Sequence, residues 1–88
     1  MLSEKLTIIN PEGLHMRPAA VFAQEMGKFE CEINIIHNGS SFNAKSLINI
    51  ISAVIKCGTD IELVCSGNDE QAAMDRAKEL IRSGFANV

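Results

Sequence analysis

CEINIIHNGSSFNA, residues 31–44, is the stretch on which the fold turns. Two β-branched, apolar-rich runs flank Asn38-Gly39, and that dipeptide is the strongest short-range signal for a tight two-residue hairpin turn. A hairpin here makes its two strands antiparallel neighbours. Working outward, "LTII" (6–9) reads as a short strand ended by the turn chemistry of "NPEG" (10–13). From Met16 to Met26 the residues Ala19, Phe22, Ala23 and Met26 recur at helical spacing. Pro18 falls in the first turn of that helix and Gly27 at its end.

Beyond the hairpin, "SLINIISAVIKCG" carries Leu47, Ile50, Ile51, Val54 and Ile55 at helical spacing, with Ser46 as N-cap and Gly58 as stop. "DIELVCS" alternates Ile61, Leu63 and Cys65 against Glu62, Val64 and Ser66, the pattern of a half-buried strand. "NDEQAAMDRAKELIRSG" closes the chain as a helix with an Asn68/Gln71 capping box and a buried stripe of Ala73, Ala77, Leu80 and Ile81. The order is β-α-β-β-α-β-α. The expected fold is α+β: a two-layer, open-faced β-sandwich whose four-stranded antiparallel sheet is covered on one face by three helices. No linker, repeat or low-complexity segment interrupts it, so one domain spans 1–88.

Composition narrows the function. Hydrophobic residues make up 47% of 88, enough for a packed core built without Trp or Tyr and with only four Phe. The net charge of −3 and the scattered Lys and Arg argue against a nucleic-acid partner, as does the lack of aromatic motifs. Cys31, Cys57 and Cys65 are odd in number and form no C-x-x-C pair, so neither a disulfide framework nor a metal site is expected. His37, beside the hairpin turn, has no evident partner. The opening "MLSEKLTIIN" has neither the charge nor the apolar run of a signal peptide or membrane span, and a reducing cytoplasm is the expected home.

The chemistry concentrates in "NPEGLHMRPAAVF", residues 10–22. His15 falls where loop becomes helix. The first-turn N–H groups of a helix have no internal partners and favour an anion such as phosphate. Arg17 adds a forked cationic donor, Gly13 a permissive backbone, and Pro18 stiffness. A neutral imidazole placed there offers a ring nitrogen as nucleophile. These residues fit a histidine that accepts a phosphoryl group; they also fit a solvated helix-capping histidine with an arginine neighbour.

"GLHMRPAAVF" resembles the active-site signature of the HPr family, the phosphocarriers of the bacterial phosphoenolpyruvate-dependent sugar phosphotransferase system. "NAKSLINI" resembles its second signature, around a regulatory serine, and "GNDEQAA" the opening of its last helix. The likeness runs over essentially the whole chain. It implies that His15 is phosphorylated on Nδ1 by Enzyme I and donates to Enzyme IIA domains, with Arg17 stabilising the phosphohistidine. It implies that Ser46 is the target of an HPr kinase/phosphorylase, and that the seryl-phosphorylated form meets a catabolite control transcription regulator. It implies an apolar docking patch at Leu47, Ile48 and Ile51, with Ile48 the most exposed. A carrier of this kind needs no cofactor, is not itself an enzyme, and is expected as a monomer. Met16 departs from the usual Ala or Thr, and Asn49 and Val54 occupy positions that are frequently glycine. The alternative is a regulatory catabolite-control protein acting mainly through Ser46. The intact "GLHMRP" stands against it, because the purely regulatory relatives lack this histidine.

Overall fold

The computed structural model describes residues 1–85. The 31–44 segment forms the expected hairpin: β2, Glu32–His37, and β3, Ser40–Asn43, pair antiparallel with His37 opposite Ser40. Asn38 and Gly39 both take positive φ, 52° and 77°, the pair of values that a type I′ turn requires. Two further strands complete the sheet: β1, Leu2–Thr7, and β4, Asp60–Ser66. The sheet order is β1-β4-β2-β3, all antiparallel. Leu6 faces Ile61 and Leu2 faces Cys65 on one side of β4; Ile35 faces Leu63 on the other.

This register puts Leu6, Ile33, Ile35, Ile61, Leu63 and Cys65 on one face, where all are buried. The opposite face carries Ser3, Lys5, Thr7, Asp60, Glu62, Asn34 and Ser41 and stays at least partly open to water. Three helices cover the first face: α1, Met16–Met26; α2, Leu47–Ser52; and α3, Glu70–Arg82. The expected stripe Ala19, Phe22, Ala23 and Met26 is buried on α1. On α3 the expected Ala73, Ala77, Leu80 and Ile81 are buried and Met74 joins them. The rings of Phe22 and Phe85 meet edge-on with centroids 6.2 Å apart. Glu25 joins the helices by an ion pair to Arg76 at 2.9 Å, and the neighbouring Lys28 and Arg76 hold its carboxyl below the ordinary value.

Three local expectations need correction. The first strand is Leu2–Thr7, not residues 6–9. Its inward face includes Glu4, which a reading of apolar clusters passes over; Lys78 of α3 reaches it at 3.0 Å, so the charge is not left alone at the sheet edge. The second helix stops at Ser52 rather than running to Gly58, because Val54 turns to φ 52° and no helix continues through a left-handed residue. Ile55 is buried all the same, from the segment after the turn. The last helix is capped one residue off: Asp69 is its N-cap, and Gly67 N–H, not Asn68, pairs with Glu70 Oε1 at 3.1 Å. Gly27 caps the end of α1 as expected, with φ −63°, an ordinary right-handed value, so the helix ends without using the freedom of glycine.

Candidate functional site

The loop before α1 is built by a clamp and a close approach. Asn10 is buried; its backbone carbonyl accepts from Gly13 N–H at 2.9 Å, and its side-chain amide donates to the Gly13 carbonyl. Gly13 has φ 66°, and a Cβ on it would lie 2.5 Å from the Ile55 carbonyl oxygen. No other residue fits both demands. Next along the chain, Leu14 N–H donates to that same carbonyl at 2.9 Å. The loop is thereby stitched to the segment that follows α2, some forty residues away in sequence.

His15 is the N-cap of α1, in extended backbone (φ −77°, ψ −171°), and its side chain makes no capping hydrogen bond. The imidazole is exposed. Pro18 has no N–H, so the free donors of this first turn are those of Met16 and Arg17. His15 lies on a depression of about 330 Å³ lined with Leu14, Met16, Ile51, Val54, Ile55 and Lys56. Arg17 is exposed and, among the described residues, makes no ion pair; it borders a neighbouring cavity of about 250 Å³ with Asn10, Glu12, Pro18 and Phe85. His15 and Arg17 thus sit two residues apart on adjoining hollows, joined by no hydrogen bond.

Ser46 is the N-cap of α2 and its Oγ is occupied. It accepts from Asn49 N–H at 3.3 Å and from the Asn49 side-chain amide at 3.3 Å. Asn49 Oδ1 in turn accepts from Asn43 N–H at 3.4 Å. Of the expected docking residues, Ile48 is 79% exposed and Ile51 is exposed beside His15. Leu47 is only half free, since it packs against the core.

Sequence reasoning missed several contributors. Lys56 and Val54 reach the His15 depression from beyond α2. Val54 belongs to the helical spacing of the 47–55 stretch, yet it stands beyond α2 at φ 52°, in the left-handed region. A β-branched residue in this region carries strain of about 1–3 kcal/mol. Asp69 ties two segments together: its carboxylate accepts from Glu30 N–H at 2.8 Å and Cys31 N–H at 2.9 Å. The Glu30 bond is the leading cause of its lowered pKa, with Cys31 adding to it. Burial pushes the Cys31 and Cys65 thiols up to about 11, so both are poor nucleophiles, whereas Cys57 is exposed.

Comparison with known proteins places this architecture. The family model for the HPr component of the phosphotransferase system, described by its phosphorylation site, matches residues 2–83. The phosphocarrier protein HPr of Buchnera aphidicola (subspecies Acyrthosiphon pisum) is 45% identical over 75 residues, covering 85% of this chain and 88% of its own. The crystal structure of an HPr from Thermoanaerobacter tengcongensis superposes with a TM-score of 0.96 at 35% identity, over 100% of this chain and 99% of that one. The catabolite repression protein Crh of Bacillus subtilis, crystallised as a domain-swapped dimer, matches with a TM-score of 0.76 at 31% identity, over 94% and 95% of the two chains. The chain belongs to the HPr family of phosphocarriers of the phosphotransferase system. Among the described residues, no helix is long and apolar enough to cross a membrane.

Proposed function

We propose that the whole chain, as one domain, carries a phosphoryl group on His15. The observation that supports this best is the imidazole at the N-cap of α1, which makes no capping hydrogen bond and, among the described residues, lies exposed on a depression open to another protein. Nδ1 of His15 attacks the phosphorus of phosphorylated Enzyme I, which was charged by phosphoenolpyruvate. The bond from phosphorus to Enzyme I breaks as the bond to His15 forms. The free first-turn donors and the Arg17 guanidinium supply positive potential for the phosphoryl oxygens. The same sequence in reverse roles delivers the group to an Enzyme IIA domain. The protein is a substrate and donor, not an enzyme, and it uses no cofactor.

Ser46 is the regulatory position, phosphorylated from ATP by an HPr kinase/phosphorylase, and the product is read by a catabolite control transcription regulator. Ile48 and Ile51, with the exposed part of Leu47, form the apolar ground on which partners dock. A carrier that meets several partners in turn works as a cytoplasmic monomer with modest affinities and fast exchange.

The test is intact-protein mass after incubation with Enzyme I and phosphoenolpyruvate. One acid-labile phosphoryl adduct is expected, and none on His15→Ala. An unmodified wild type, with Enzyme I active on another HPr, overturns the carrier reading and leaves regulation through Ser46 as the account to pursue.

A further inference from the structure

Val54 breaks a local rule. Its φ of 52° lies in the left-handed region that glycine and asparagine tolerate and β-branched residues resist. The fold gains nothing evident from the side chain. Val54 is 64% exposed and stands outside the buried core, although Ala53 and Ile55 on either side are within it. Its backbone N–H closes the turn to the Ile51 carbonyl at 3.2 Å, a bond that glycine makes equally well. A strained position with no return inside the fold points to a role outside it.

The place of Val54 says what that role is. It lines the His15 depression. Of the residues there, Leu14 and Ile55 are buried, so the accessible rim around His15 is Met16, Ile51, Val54 and Lys56. A phosphoryl group that passes directly between two proteins requires the donor atom, phosphorus and acceptor atom to come into near-contact and alignment. The surface bearing the partner's phosphorylated side chain must then close over this rim. Gly13 and Leu14, packed on the Ile55 carbonyl, hold His15 and the Val54 turn together as one unit.

We propose that Val54 is a specificity-determining residue for transfer at His15. The chain holds a branched aliphatic side chain in an unfavourable backbone so that its methyl groups meet an apolar surface next to the phosphorylated side chain of the partner protein. This inference rests on the carrier reading above.

Three variants test it: V54G, V54N and V54I. Thermal unfolding is measured on each, together with the rate of phosphorylation by Enzyme I and phosphoenolpyruvate at varied carrier concentration. Glycine and asparagine relieve the strain and remove the methyls, so Tm rises by about 2 °C or more. The half-saturating carrier concentration rises about three- to tenfold, the effect of losing one aliphatic contact, and the maximal rate moves less. V54I restores the half-saturating concentration and brings Tm back to near the wild-type value. A Tm that does not rise in V54G or V54N overturns the strain argument. A raised Tm with an unchanged half-saturating concentration overturns the contact. If Enzyme I leaves the wild type unmodified, the carrier reading fails and this inference falls with it. A modified wild type with indifferent variants sinks this inference alone.

Discussion

The first helix and the second each begin with a side chain in extended backbone, and the two side chains are used in opposite ways. Ser46 spends its oxygen on its own helix, accepting from the N–H of Asn49, with the Asn49 amide beside it. His15 gives nothing to its helix. An imidazole is a poor cap, and α1 is held by its buried stripe and by the stitched loop before it instead. The difference teaches where a small protein can place a reactive group. Where packing from elsewhere fixes the helix start, the N-cap side chain is free for chemistry. Where the helix is only six residues long, as α2 is, the cap is needed for structure. Asp69, at the start of α3, is a third case: it turns away from its own helix to hold the chain at Glu30 and Cys31.

The sharpest way to break this contrast is at the stitch. Gly13→Ala forces a Cβ toward the Ile55 carbonyl in left-handed backbone and is expected to cost about 2–4 kcal/mol. Chemical denaturation measures the loss, and phosphorylation of whatever folded fraction remains should slow because His15 has moved. Next in size, Ser46→Ala removes a working cap and should cost about 1 kcal/mol. Ser46→Asp keeps an acceptor there and should recover most of it.

Acid sharpens the third case. The folded pKa of Asp69 lies below its ordinary 3.8, chiefly through the Glu30 N–H. A depressed carboxylate stabilises the fold fully above its unfolded value and loses that effect as pH falls through its folded one. Stability should therefore drop on going below about pH 4, and Asp69→Asn should flatten that part of the curve in a pH series of unfolding midpoints. The smallest effect is the most telling. His15→Ala, which removes the proposed phosphoryl acceptor, should change stability by no more than about 0.5 kcal/mol. A larger loss would mean that the imidazole does structural work that the geometry does not reveal.

Much of the fold was legible because it rests on local chemistry. Asn38-Gly39 announced its turn, and the alternation through β4 and the stripes of α1 and α3 announced their buried faces. The errors share one cause, which is that the deciding contact lies far away in sequence. Glu4 faces inward because Lys78 waits there, seventy-four residues on. The helical spacing of Leu47 to Ile55 overran α2 because Ile55 reaches the core from beyond a left-handed turn, and a one-dimensional pattern does not distinguish the two routes. At the candidate site, His15 and Arg17 stood out by residue type and position, whereas Ser46 read from the residues only as a helix N-cap and drew its expected role from the family resemblance. Lys56 and the Asn10 clamp did not stand out, since their importance comes from the packing of one loop on another.

The uncovered face of the sheet has its own consequence for how such a chain can vary. Strand residues on that side are half-buried or exposed and meet at most each other, as Ser3 does Glu62 and Thr7 does Asp60, so their identity is weakly constrained, while the next residue along is locked in the core. A saturation screen for folded variants should therefore stripe β4 with a period of two: Ile61, Leu63 and Cys65 intolerant, Glu62 and Val64 permissive. One-sided covering gives the sequence a reserve of positions on which it can drift while the layer beneath stands still.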